Sequence, residues 1–380
     1  MQANMVAEET DLVDDAIARL RVMLPAPWTI ERSGRAVPAD GSPPGDILAN
    51  ATIDLRAPNG TSTTFAVEAK QSFGPRDVEQ LSGGLSRTIR SIAGFIPILV
   101  VAPWLSARTQ ELLIRDSINF IDLTGNAFIN LANPGLYIKV DGATRNPQPA
   151  PRGRATVRGP KAARLIRLLV DVRPPYGVGE IAAATSLAAG YVSRLLDALD
   201  REALIERARR GRVDSVDIAG LLRRWAESYD VMKTNEATFF LAPNGAKEAL
   251  ARIAGRSDST RVTITGSFAA SRLAPVAAPA LLLAYSNNIE TVAGDLGLLP
   301  ADEGANVAML RAFDPVVWER CSEDSGVRYV APSQAAIDCL TGNGRMPAEG
   351  EALIAWMTEN EPGWRLSSIE DLGRPGGARG

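Results

Sequence analysis

Asp54, Glu68 and Lys70 are the residues whose types and spacing best suit chemistry. Asp54 stands before a turn signal, Pro58-Asn59-Gly60, and Glu68-Ala69-Lys70 follows it on the next strand candidate. Two carboxylates can share a magnesium ion, and a lysine beside them can position an attacking water and stabilise charge developing on a phosphate. Side chains alternate along a strand, so Glu68 and Lys70 project from one face. This chemistry needs no imidazole, and the chain of 380 residues contains no histidine and only 2 cysteines. Serine–histidine triads, cysteine–histidine pairs and HExxH zinc sites are therefore excluded, as are zinc fingers and disulfide frameworks.

The pairing of the two strands decides whether Asp54 meets Glu68. A two-residue Asn59-Gly60 turn gives an odd pairing sum and puts Asp54 on the face of Phe65 and Val67, away from Glu68. A longer loop with an even sum brings it to the Glu68 face. Asp46, Asn50 and Asp54 share one parity, and a site with Asn50 in the metal-binding position would be crippled. An acid followed by Glu-x-Lys on the next strand resembles the restriction-endonuclease-like (PD-(D/E)XK) superfamily over about 100 residues. The resemblance implies a magnesium-dependent nuclease with Asp54 and Glu68 as metal ligands and Lys70 as the third catalytic group. The alternative is the same fold with an inactive site.

Two other polar clusters read as structural. In Asp122-Leu123-Thr124-Gly125-Asn126 the sequence predicts a turn with Gly125 at positive φ and Asp122 bonded to the backbone. Val262–Ser271 reads as a strand, Gly266-Ser267 and a helix start, resembling the phosphate-holding turn of nucleotidyltransferases. The following strand candidate, Ala280–Tyr285, has none of the paired acids such enzymes use for magnesium, so this region is expected to be a degenerate nucleotidyltransferase-like domain.

The middle of the chain carries the clearest binding signal. Lys161–Val172 forms an amphipathic pattern with Leu165, Leu168 and Leu169 inward. Val178–Thr185 is a short helix candidate, Ser186-Leu187-Ala188 a tight turn, and Ala189–Glu202 a second helix with Val192, Leu195, Leu196 and Leu199 on one face. That leaves Gly190, Tyr191, Ser193, Arg194 and Asp197 facing away, the spacing of a helix-turn-helix with its second helix in the recognition position. Leu204–Ile218 then reads as two strands around a basic tip, with Arg207, Arg209, Arg210 and Arg212. The sum resembles winged helix-turn-helix transcription regulators over about 70 residues. Ser193 and Arg194 would face the major groove and the wing arginines would meet phosphates or the minor groove, while Tyr191 could face DNA or the core. A winged helix used for protein docking is the alternative.

The surrounding elements set an α/β multidomain architecture. Residues 1–144 alternate helix and strand signals, 145–160 is a proline-rich linker, 161–235 holds the winged helix and 236–380 alternates again. Thr10 can cap a first helix. Strand candidates follow at Trp28–Glu31, Ile47–Arg56, Thr63–Lys70, Ile96–Ala102, Ile118–Leu123, Ala127–Leu131 and Leu136–Val140, with helices over 75–91 and Ser106–Arg115. Composition supports packed cores, with 46% hydrophobic and 22% charged residues. No apolar run approaches the ~20 residues that span a bilayer, and residues 1–9 lack the features of a signal peptide, so a cytoplasmic location is expected. Net charge is −3, but 151–233 holds 16 basic and 10 acidic residues, a local +6, as expected where a segment meets a polyanion.

Taken in order, VVAPWLSARTQELL, INFIDLTGNAFI, the winged helix, VTITGSFAASRLAP, GANVAML and YVAPSQAAIDCLTGNGR resemble a group of actinobacterial winged-helix proteins similar to the type IV abortive-infection (AbiEi) antitoxins. The resemblance implies binding to double-stranded DNA, autoregulation and a toxin partner, while the flanking domains are expected to serve homodimerisation, sensing or partner binding. Those antitoxins usually begin with the winged helix, whereas a nuclease-like segment precedes it here. The expectation is a DNA-binding regulator, with a magnesium-dependent nuclease or an antitoxin as alternatives.

Overall fold

The computed structural model describes residues 2–33, 51–82, 96–144, 147, 157–208, 211–255 and 261–372. Among these residues it shows a mixed α/β protein with two seven-stranded sheets and a small hairpin sheet. Two compact units form, one built on Met1–Gly153 and the other on Arg154–Asp200 with Leu204–Gly380. No helix among the described residues is long and apolar enough to cross a membrane.

The first unit contains α1 (Gln2–Met23), β1 (Thr29–Arg32), β2 (Ala51–Arg56), β3 (Ser62–Ala69), α2 (75–82 within the described residues), β4 (Ile98–Ala102), α3 (Ala107–Arg115), β5 (Asn119–Asp122), β6 (Ala127–Leu131) and β7 (Leu136–Val140). α1 starts ahead of Thr10, the cap expected from sequence. The strands lie in chain order, with β3, β4 and β5 parallel and the other neighbours antiparallel. The two parallel steps advance in one direction, and the right-handed crossover rule then puts α2 and α3 on the same face. That face holds Val100, Ala102, Phe120 and Phe128 against Val78, Leu81, Leu112 and Leu113. On the other face Ile53, Phe65, Val67, Leu99, Val101 and Ile121 pack on Leu12, Val13, Ala16, Ile17 and Leu20 of α1. Ser106 caps α3 by accepting from the Thr109 amide at 3.1 Å, an arrangement that contributes about 1 kcal/mol.

The second unit begins with α4 (Gly159–Asp171), α5 (Val178–Thr185), α6 (Ala189–Arg201), β8 (Ile205–Arg207), β9 (Val213–Val216), α7 (Ile218–Ala226) and α8 (Val231–Thr234). It continues with β10 (Ala237–Leu241), α9 (Ala246–Ala254), β11 (Val262–Thr265), α10 (Gly266–Ala270), β12 (Leu282–Ser286), α11 (Ile289–Leu296), β13 (Leu299–Pro300), β14 (Val307–Leu310), β15 (Ser322–Asp324), β16 (Val327–Tyr329), α12 (Pro332–Leu340), α13 (Met346–Glu359) and α14 (Glu361–Trp364). Its large sheet runs β13-β10-β14-β12-β11-β16-β15. One apolar core extends from Val157 to Trp364 and crosses residue 235 without a break.

This continuity changes the reading of two segments. Val157 is buried and Gly159-Pro160 opens α4, so the end of the proline-rich segment is part of the folded unit. α4 is buried on both faces, including Arg167 and Asp171, because α12 packs on the side that its amphipathic pattern assigns to water.

Candidate functional site

The β2–β3 loop fixes the fate of the Asp54–Glu68–Lys70 set. Ala57 and Thr61 close it through a backbone hydrogen bond of 2.8 Å, and Gly60 takes φ +81 as the third loop residue. Three-residue loops ending in a left-handed residue give an even pairing sum, and Asp54 pairs with Thr64 and Arg56 with Ser62. Asp54 therefore lies on the sheet face that carries Glu68. It is bound there to Thr64, whose hydroxyl donates to Asp54 Oδ1 at 2.5 Å. Glu68 is four residues further along β3, about 13 Å away at the ~3.3 Å rise of a strand. The two carboxylates do not share a site. Asp46 and Asn50 lie outside the described residues.

Glu68 and Lys70 do come together, and a residue not singled out from the sequence joins them. Lys70 Nζ lies 3.1 Å from Glu68 Oε1 and 3.3 Å from Asp77 Oδ1, with Asp77 in the first turn of α2. Asp77 also accepts the Gly74 amide at 2.8 Å, which fixes it at the helix start. Partial burial would lower the Lys70 ammonium, but the hydrogen bond and charge of Glu68, together with Asp77, hold it above the ordinary lysine value. A lysine so held stays protonated and cannot serve as a base.

The Asp122 turn takes the geometry its sequence predicts. Asp122 is fully buried and accepts from the amides of Leu105, Thr124 and Asn126, the Thr124 hydroxyl and the Asn126 side-chain amide, at 2.7–3.0 Å. Gly125 has φ +103.

In the second unit, α5, the turn at Ser186 (φ 55) and α6 stand in sequence and are followed by the β8–β9 hairpin. Val192, Leu195, Leu196 and Leu199 are wholly buried on the inner face of α6. Gly190 and Arg194 are exposed and Ser193 is half-buried. The Arg194 guanidinium overlies Gly190, with Nη1 3.7 Å from where a Cβ would stand. Tyr191 rests half-buried against the apolar core, and burial raises its phenol.

The hairpin is anchored by backbone hydrogen bonds between Tyr176 and Val213, an extra bridge not anticipated from the sequence. Arg207 folds back onto α6: Nη1 binds Asp197, while Nε and Nη2 donate to the Gly211 carbonyl at 3.3 and 3.2 Å. Arg212 is exposed, donating to the Pro175 carbonyl at 3.2 Å with Glu180 at 3.9 Å. Arg209 and Arg210 lie outside the described residues.

Gly266 takes φ +62 at the β11–α10 junction, and a Cβ there would meet Met346 at 3.1 Å. The Ser267 hydroxyl is bound to Glu349, a carboxylate where a phosphate cradle would need positive potential. β12 carries no acid. Beside it lies a polar cluster that sequence reasoning missed. Asp338 on α12 is fully buried and accepts from Thr265 at 2.6 Å, Tyr229 at 2.7 Å, Gln334 at 2.9 Å and Tyr285 at 3.0 Å. Burial pushes its carboxyl up to about 6 despite the four hydrogen bonds. Gln334 in turn accepts from Arg167 at 2.9 Å, which extends the polar chain into α4.

Among the described residues, no group of three His, Cys, Asp or Glu side chains could hold a metal ion. No protein-family model, curated protein or solved structure matches the chain.

Proposed function

We propose that the chain is a DNA-binding transcription regulator, with α6 as the recognition helix of a winged helix-turn-helix and the β8–β9 hairpin as its wing. The observation that carries this reading is the outer face of α6. Gly190, Ser193 and Arg194 lie on a helix whose opposite face is wholly buried, and an arginine-bearing hairpin follows directly. Arg194 has the fork that reads guanine in the major groove, and the local +6 supplies the phosphate attraction that makes such binding salt-dependent. A binding titration on duplex DNA from upstream of its own reading frame tests the reading. Salt-sensitive binding that weakens in Arg194→Ala supports it, and no binding overturns it. A homodimer on a two-fold site and a toxin partner belong to the same proposal, tested by solution mass and by co-purification.

A nuclease targeted by the same helix is the second reading, favoured by the contact between buried Glu68 and Lys70. The described carboxylates do not fit its magnesium. Asp54 is engaged elsewhere, and Lys70 occupies the space between Glu68 and Asp77. No cleavage step is derived through a metal.

A further inference from the structure

We propose that Arg207 is a positioning residue for DNA binding, a strut that holds the hairpin at a fixed angle to α6 through Asp197. The inference rests on reading the α6–hairpin surface as a DNA interface. The sequence pattern groups Arg207 with the tip arginines as a phosphate contact, but its surroundings assign another role. Its side chain is only 16% exposed. One edge of the guanidinium binds Asp197 on α6, and Nε and Nη2 converge on the Gly211 carbonyl at the hairpin turn. A planar fork of this kind fixes direction as well as distance, which an ammonium cannot do.

The turn itself is built around the strut. Gly211 has φ +76 and donates to the Ala208 carbonyl at 2.8 Å, and a Cβ on Gly211 would meet Arg207 Nη2 at 3.1 Å. Asp197 explains why the strut serves a DNA interface. It is an exposed carboxylate on the outer face of α6, where a bare negative charge would repel a phosphate backbone. With Arg207 in place that charge is neutralised. Were Arg207 to leave for a phosphate, its contacts to Asp197 and to the Gly211 carbonyl would be lost together, and the turn would lose this tie to α6. Arg212, 51% exposed, donates to the Pro175 carbonyl at 3.2 Å and lies 3.9 Å from Glu180 without touching α6, so of the two described hairpin arginines it is the one placed to turn toward a phosphate.

The test is a fluorescence-anisotropy titration of the full chain with a labelled mixed-sequence DNA duplex, over a series of salt concentrations. The proteins are wild type, Asp197→Asn, Arg207→Gln, the double variant and Arg207→Lys. Hydrogen exchange over 205–216 is read on the same proteins. Asp197→Asn and Arg207→Gln should each weaken binding by about threefold to tenfold, with the double variant no weaker than either single. The salt slope should stay unchanged, Arg207→Lys should not rescue, and the hairpin amides should exchange faster in each single variant. A salt slope lowered by about one in Arg207→Gln, tighter binding by Asp197→Asn, or rescue by Arg207→Lys overturns the strut. If wild type binds no duplex, the DNA reading falls and exchange alone decides the strut: faster exchange in both single variants upholds it, and unchanged exchange overturns it.

Discussion

Arg167 and Asp171 form an ion pair one turn apart within α4, Nε and Nη2 donating to Asp171 Oδ2 at 3.1 and 3.0 Å, with both side chains almost wholly buried. Arg167 also donates to the Val316 and Glu319 carbonyls and to Gln334, so one guanidinium joins α4 to the segment between β14 and β15 and to α12. Removing Arg167 takes both hydrogen bonds from Asp171 Oδ2 and leaves the buried carboxylate with the more distant Arg320, 3.5 Å away. Arg167→Met should therefore cost about 3–5 kcal/mol, read as a lower urea midpoint. Arg167→Met with Asp171→Leu should recover part of that loss, because the stranded carboxylate goes too.

Asp338 gives stability a pH dependence of definite sign. Its carboxyl titrates at about 6 in the folded chain, against an ordinary 3.8. The folded state therefore binds the extra proton between these values, and this residue's contribution to stability falls as pH rises from about 4 to about 6, then levels off. A shift of roughly two units corresponds to about 3 kcal/mol. Urea midpoints from pH 4 to 7 for wild type and Asp338→Asn check this. The wild type minus variant difference should fall across that window, and a flat difference would remove the carboxyl from the account.

Asp122 collects five hydrogen bonds at the β5–β6 turn, and Asp122→Ala strands the donors that converge on it. The expected loss is about 3 kcal/mol or more, read as a drop in melting temperature. Thr64→Val, which removes a single hydrogen bond to half-buried Asp54, should cost only about 1 kcal/mol.

Magnesium separates the two readings: a regulator that holds no metal keeps its melting temperature unchanged in millimolar magnesium. Plasmid incubated with the wild-type chain and magnesium should stay intact, as it should with Lys70→Ala. Stabilisation by millimolar magnesium, or cleavage that Lys70→Ala abolishes, would restore the nuclease reading.

Arg194→Ala should weaken binding to a cognate duplex by about tenfold or more, the range of a lost bidentate base contact. Affinity for mixed-sequence DNA should fall far less. A uniform loss on both duplexes, with the salt slope lowered by about one, would make Arg194 a phosphate contact instead.

Much of the fold was legible where periodicity was long and edges were marked. β6, β7, α5 and β11 occupy the spans their patterns predict. β10, α11, β13, β15 and β16 were not assigned, since two to eight residues give little period to read and their partners lie far away in sequence. The outer face of α6 was legible because helical spacing alone separates Gly190, Ser193 and Arg194 from the buried leucines. The roles of Arg207 and Asp338 were not, because their partners come from other elements. Asp54 turned on a single loop residue: parity could be stated in advance, but only Gly60 at the end of a three-residue loop selects it.

The uninterrupted core across residue 235 bears on how the second unit can be handled and how it fails. A fragment ending there would bare to water the sides of α4 and α7 that α12 covers, and would take Gln334 from Arg167 and Asp338 from Tyr229. Such a fragment should aggregate instead of serving as a small DNA-binding module. α6 and the sheet should melt in one transition, so that damage far out in the sheet is felt at the surface proposed to touch DNA.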